Sequence, residues 1–354
     1  MFKAFFRLVC VLTFVSGCVK DADMTESLPE AVALEIGVRS PSVAGDEADF
    51  SSKLISDLNV WAYICDSQGK VLRQQPEAHA YVDLTSAGAA SEAKAMVAFE
   101  TKSRYHMVVA VSNYGTHIFN SEAQFYQLAS SKSTGSSRTD NAAHWTIVDV
   151  LDADDEGKVK VDMKLYPEEG KVSLKMATSS DAMRMMIDHV ILRSTNAPSE
   201  GTLLSAMTPQ QIEGSGWEDA KWWFDGVVLK YAECSRTIAS DVLIERSGTY
   251  VDAGSCLTYE NQAGWTDLSS FREEGFSNVP QGEGYYLDVA YRYTILPGTD
   301  LSSASSPDIV SVRKYIPLQP IRRGNHYVVK VMASLSEIVV SGMTEISEET
   351  PGEW

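Results

Sequence analysis

Basic residues are scarce in this chain. Its 354 residues carry 30 Lys and Arg against 48 Asp and Glu, a formal charge of −18. A surface that acidic repels phosphate backbones, which excludes nucleic acid as a partner, and it disfavours docking of a basic face on anionic headgroups. Cysteine is scarce too, at five residues. Cys10 and Cys18 fall in the first eighteen residues, which leaves Cys65, Cys234 and Cys256. An odd number cannot make a complete disulfide framework. Cys234 and Cys256 read as a bridge between neighbouring strands in an oxidising compartment or, together with Cys65, as small buried residues. Beyond residue 18 no segment reaches the roughly 20 apolar residues of a membrane-spanning helix.

Signatures of chemistry are missing as well. No Gly-x-Ser-x-Gly, phosphate-binding loop or Cys-x-x-Cys occurs. His79, His106, His117, His144, His189 and His326 are scattered without metal-ligand spacing. The acidic run Asp152 to Gly157 resembles part of a calcium loop, but the twelve-residue pattern is not met, and a solvated turn accounts for it. Glu273 and Glu274 are adjacent, so in a strand they face opposite ways. Trp217, Trp222, Trp223 and Phe224 form the densest aromatic cluster, suited to stacking on sugars or anchoring a partner, or to plain core packing. No catalytic residue, metal or cofactor is expected.

The amino end is more informative. Residues 1–18 read MFKAFFRLVCVLTFVSGC. Lys3 and Arg7 give a positive start, and Leu8 to Val15 is an apolar stretch too short to cross a bilayer. Val15-Ser16-Gly17-Cys18 resembles a lipobox, in which small residues admit the signal peptidase and the cysteine thiol takes the lipid. Residues 1–17 are thus expected to be a lipoprotein signal peptide and Cys18 the lipidation site. Loss of Lys3 and Arg7 takes the formal charge from −18 to −20. Val19-Lys20-Asp21-Ala22-Asp23 resembles the surface-export signal of Bacteroidetes lipoproteins and fits a solvated tether equally well. The expected location is the outer membrane, lipid-anchored and surface-exposed.

The body alternates with period two. Val32, Leu34, Ile36 and Val38 interleave with Ala33, Glu35, Gly37 and Arg39, which predicts a strand with one buried face. Leu58 to Cys65 alternates likewise, and Asp66 to Gly69 turns the chain back toward Lys70, a hairpin signature. His106 to Val111 is nearly continuous and apolar, as in a strand buried on both faces. Residues 130–141 read as a polar loop. Val159 to Leu165 is another half-buried strand, and Pro167 to Gly170 breaks it. Beyond the break, strands are expected at Val172 to Met176, Asp188 to Arg193, Tyr285 to Tyr293, Ile309 to Ile316, Tyr327 to Met332 and Glu337 to Ser341, with a short helix possible at Pro209 to Ile212. No long amphipathic helix is evident. The fold class is all-β, in two sandwiches in series, residues 18–168 and 169–354. No internal repeat is legible.

Three segments together resemble the fimbrillin family, the subunits of Bacteroidetes-type fimbriae. They are the lipobox, the strand Leu58-Asn59-Val60-Trp61-Ala62-Tyr63 with its turn at Asp66 to Gly69, and Ile321-Arg322-Arg323-Gly324-Asn325-His326-Tyr327-Val328-Val329-Lys330-Val331. The last is similar to the family's Arg-Asn-x-x-Tyr strand, with Gly324 interrupting the Arg-Asn pair. Lys171 to Met176 and Val190 to Pro198 also lie where the family's second domain opens. The resemblance implies two transthyretin-like sandwich domains, export as a lipoprotein, and proteolysis after the first strand by an arginine- or lysine-specific protease. A sandwich that loses an edge strand exposes unpaired backbone groups and an apolar trough, which a strand from a neighbouring subunit completes.

On that resemblance residues 32–39 are the removable strand, with Val32, Leu34, Ile36 and Val38 as its buried face and Arg39 as the cleavage point; Arg39 reads otherwise as a solvated strand end. Leu335 to Ile346, with Ile338 and Val340, is the donor or the last strand of its own domain. The partners implied are other fimbrial subunits, and the outer membrane through the lipid on Cys18. The function implied is a structural, non-enzymatic subunit of a fimbria that supports adhesion. A chain left uncut at Arg39 would keep its lipid and serve as an anchor or accessory subunit. A surface glycan-binding lipoprotein is the rival reading.

Overall fold

A computed structural model describes residues 27–39, 54–116 apart from 74, 87 and 89, 142–199 apart from 168, 230–296 apart from 246, 309–334 and 338–346. Among these described residues sixteen strands run in order: β1 (Ala31–Arg39), β2 (Asp57–Ile64), β3 (Ala78–Asp83), β4 (Glu92–Glu100), β5 (Tyr105–Ser112), β6 (Ala142–Asp149), β7 (Lys158–Lys164), β8 (Tyr166–Pro167), β9 (Glu169–Thr178), β10 (Met183–Pro198), β11 (Tyr231–Ile244), β12 (Val251–Tyr259), β13 (Tyr286–Ile295), β14 (Ile309–Pro317), β15 (His326–Ala333) and β16 (Ile338–Ile346). Among the described residues there is one five-residue helix, Ser269–Glu273, which was not foreseen from the sequence. Among the described residues no helix is long and apolar enough to cross a membrane.

The strands make four sheets, ordered β4-β1-β7, β3-β2-β5-β6-β8, β12-β9-β15-β16 and β11-β10-β13-β14. The first two close on a core that includes Leu34, Ile36, Leu58, Val60, Val97 and Val108. The last two close on another that includes Leu174, Ile187, Leu192, Val289, Tyr291 and Val329. The all-β sandwich expectation holds. No strand pairing among the described residues joins one side of residue 168 to the other.

Period-two alternation explains most of these elements. β4 reads exposed-buried throughout, with Ala93, Ala95, Val97 and Phe99 inward. β2 and β5 are buried on both faces, because Trp61, Tyr63, Met107, Val109 and Val111 form a further cluster on the far side of their sheet. The Pro167 to Gly170 break is a change of sheet: β8 ends beside β6 at Pro167, and β9 begins at Glu169 between β12 and β15.

The two halves share one topology. In each, a central strand (β1, β9) pairs antiparallel with the fourth strand (β4, β12) and parallel with the seventh (β7, β15). In each, the second strand lies between the third and the fifth, and the fifth pairs with the sixth. β16, paired antiparallel with β15, has no counterpart in the first half among the described residues.

Candidate functional site

The nine residues of β1 pack as their alternation predicts. Val32, Leu34, Ile36 and Val38 are 0–2% exposed. Burial of four such side chains contributes about 6–12 kcal/mol in gross terms. The backbone corrects one expectation, for β1 is no edge strand. It pairs with β4 from Ala31↔Glu100 to Arg39↔Glu92, and with β7 from Ala33↔Lys158 to Arg39↔Lys164. The Ala33 N–H donates to the Gly157 carbonyl at 2.9 Å, and the Leu165 N–H to the Arg39 carbonyl at 3.0 Å. Removing β1 would therefore leave a slot with two hydrogen-bonding walls, more selective for a replacement strand than an open margin.

The outward residues hold β1 only lightly. Glu35 lies 4.0 Å from the Lys94 ammonium, an exposed pair of small worth. Gly37 admits the neighbouring wall closely: a Cβ there would meet Asp162 Oδ1 at 2.8 Å. Arg39 is exposed at the last position of β1, so the bond that follows it lies at the strand's end.

Ile338 and Val340 are 4% and 6% exposed, seated in their own half, where β16 pairs with β15. They reach another subunit only if β16 detaches. Cys234 on β11 and Cys256 on β12 are free thiols and partly buried, and Cys65 is free and buried. Burial pushes the Cys256 thiol up to about 12, with Arg236 opposing the rise. Cys18, residues 1–17, the loop 40–52, His117, residues 130–141, the Pro209 to Ile212 segment, Trp217, Trp222, Trp223 and Phe224 lie outside the described residues.

The Arg322 to His326 segment lies where the two halves meet. The Arg323 side chain is 1% exposed and forms a two-pronged pair with Glu260, at 2.8 and 3.1 Å. Gly324 adopts φ +69° and lies against Tyr166 of the first half, which its Cβ would approach to 3.1 Å. The Gly324 N–H donates to the Glu169 carbonyl, and the Lys171 N–H to that of Asn325. Burial, with Arg323 and Lys164 nearby, holds His144 down to about 4. His326 contacts the Ser173 hydroxyl at 2.6 Å. The glycine that departs from the Arg-Asn pattern thus serves a left-handed turn in close contact with the other half.

The acidic run after Asp152 is a turn: Asp154 Oδ1 accepts from the Glu156 and Lys158 N–H groups, and these bonds hold its carboxyl below the usual range. Among the described residues no cluster of His, Cys, Asp and Glu is placed to hold a metal. Sequence reading missed both walls of the slot. For β4 the signal was present, an unbroken alternation over nine residues. For β7 the strand was legible, but its parallel pairing with β1 joins residues more than a hundred positions apart.

No family model matches the chain, and no curated protein matches it in sequence. Its structural neighbours are fimbrial and cell-adhesion proteins. A protein assigned to cell adhesion from Bacteroides eggerthii is 15% identical, with TM-score 0.49, 91% of this chain covered and 97% of that one. The tip fimbrial protein Mfa3 from Porphyromonas gingivalis, truncated at its C-terminus, is 10% identical, with TM-score 0.48 and coverage of 90% and 100%. A fimbrilin from Porphyromonas gingivalis is 8% identical, with TM-score 0.44 and coverage of 86% and 90%.

Proposed function

We propose that this chain is a structural subunit of a cell-surface fimbria, exported as a lipoprotein through Cys18 and assembled by strand exchange after β1 is removed. One observation carries the reading: β1 is a discrete apolar strand wedged between β4 and β7, and it ends on an exposed arginine. Cleavage after Arg39 severs β1 from the body, and only non-covalent contacts then hold it. A strand from a neighbouring subunit takes its place, burying alternate side chains and satisfying both walls. The donor is Leu335 to Ile346, with Ile338 and Val340 as its apolar face. The role is adhesive and structural, without catalysis. The chain divides at residue 168 into two domains, of which the first receives the strand.

A second reading follows from the same geometry. Because β1 is bonded on both sides, an uncut chain keeps it, keeps its lipid and serves as an anchor. Mild trypsin treatment of the purified mature chain separates the two, with N-terminal sequencing and electron microscopy as readouts. A new terminus at Ser40 with filament formation supports the stalk role. A chain that resists at Arg39 supports the anchor, and cutting there without assembly removes the strand-exchange reading.

A further inference from the structure

β11 and β12 close one side of the second half. Among the described residues each is the edge strand of its sheet, β11 beside β10 and β12 beside β9. They share no ladder, yet their backbones touch. A Cβ at Gly254 would meet the Ile238 carbonyl oxygen at 2.7 Å, and the Arg236 guanidinium donates from Nη1 to the Leu257 carbonyl at 2.7 Å. Each strand carries one cysteine, and both turn inward. Cys234 pairs with Ser194, a buried residue, and Cys256 pairs with Val172 of the core. Residues directly opposite on neighbouring strands share a face, so both thiols point between the sheets. Both pack against the same core cluster. Cys234 lies near enough to Cys256 to raise that thiol further, while Arg236 opposes the rise at both. Inward thiols on two touching strands are what a disulfide can join.

The first half holds no such pair. β3 and β4 stand there in the places of β11 and β12, and neither contains a cysteine. The difference falls on the two strands that flank the central one and its neighbour. In the first half β4 is free to part from β1; in the second, β12 is poised to be fastened.

We infer that Cys234 and Cys256 form a redox clamp that ties β11 to β12 and fastens the two sheets of the second half to each other. Once closed, β12 cannot leave β9 without drawing β11 from β10, so strand loss is confined to the first half. The oxidant is a protein or small-molecule disulfide, RS–SR. The Cys234 thiolate, beside Arg236, attacks one of its sulfurs, and a mixed disulfide forms as RS⁻ leaves. The Cys256 thiolate then attacks the Cys234 sulfur and expels the second RS⁻. The two thiol protons end on the two departing sulfurs; the cysteine pair is oxidised by two electrons and RS–SR is reduced by two. The source of that oxidant in the cell rests on the export reading, since disulfides persist outside the cytoplasm.

The test is incubation of the purified mature chain with oxidised glutathione, followed by blocking with iodoacetamide, denaturation, trypsin digestion and mass spectrometry without reductant. The expected product is peptide 231–236 joined to peptide 247–272 in most chains. The oxidised chain should melt about 5–10 °C above the same chain kept in dithiothreitol. Cys256→Ser should abolish the joined peptide and the temperature difference and leave Cys234 carrying one glutathione. Cys65→Ser should leave both signals unchanged. Should Cys256→Ser fail to fold, the oxidised and reduced forms of the unmutated chain decide. Two unjoined thiols after oxidation, a mixed disulfide on Cys234 that never resolves, or linkage to Cys65 overturns the inference, as does a joined peptide with no gain in melting temperature. Because the test supplies its own disulfide, failure here leaves export and strand exchange standing, and resistance to cleavage at Arg39 leaves the clamp standing.

Discussion

β1 and β9 occupy the same place in two copies of one topology, yet they are held differently. β9 follows β8 across a single residue, and its start carries contacts beyond the ladder: the Glu169 carbonyl accepts from the Gly324 N–H, and the Ser173 hydroxyl meets His326, whereas the bond from the Lys171 N–H to the Asn325 carbonyl is the counterpart of the one from Ala33 to Gly157. β1 has apolar residues inward, Ala33, Glu35 and Gly37 outward, and an exposed arginine at its end. A shared central position therefore does not mean equal permanence. A strand fixed at both ends and by buried polar bonds is part of the frame; a strand held by apolar contact and ladder bonds becomes separable once its connection is cut.

The largest expected effect lies on the fixed side. Arg323→Ala removes the two-pronged pair with Glu260 at a position where the arginine is 1% exposed, and should cost about 3–5 kcal/mol by denaturant titration. On the separable side, Leu34→Ala should cost about 2–5 kcal/mol in the uncut chain and also hasten departure of β1 after cleavage, which mass spectrometry of the released peptide would follow. Leu174→Ala in β9 should cost a similar amount and leave that release unchanged.

Acid should act on the first half and on its contact with the second. His144 is held down to about 4 by burial and by Arg323 and Lys164. His106 is lowered by burial and lies against Phe99, the cross-strand partner of Val32. A histidine depressed in the folded state gives stability that is complete above its unfolded value near 6.5 and is lost as pH falls toward the folded value. Melting temperature should therefore drop between pH 6.5 and 4, by an equivalent of about 3 kcal/mol for His144 alone. His144→Gln should flatten that slope. The smallest effect belongs to Lys94→Ala, which removes the exposed pair with Glu35 and should change stability by less than about 0.5 kcal/mol.

Much of this was legible in the sequence because exposure alternates with the pleat. Residues 32–39, 159–165 and 285–293 gave themselves away by period two, and His106 to Val111 by its unbroken apolar run. β3, β6, β11 and β12 were harder. β11 is a half-exposed edge strand that mixes polar and apolar residues on both faces, and β12 carries a register shift beside Gly254 that disrupts its alternation. The candidate site was half visible. The strand and its terminal arginine could be read, but its central position could not, since pairing is a property of distant residues. The repeat of topology was invisible for a related reason: the halves share strand order and pairing, and neither burial pattern nor residue identity repeats along the matched strands.

Amide hydrogen exchange on β4 and β7, followed through cleavage after Arg39 and subsequent assembly, tests the separable strand most directly. Strand exchange predicts that the odd-numbered amides of β4 and β7, which face β1, are protected in the intact chain, lose protection once β1 leaves, and regain it in the assembled fibre, while β9 and the β12 amides that face it stay protected throughout. Protection of β4 and β7 that survives removal of the β1 peptide, or that never returns on assembly, would contradict it.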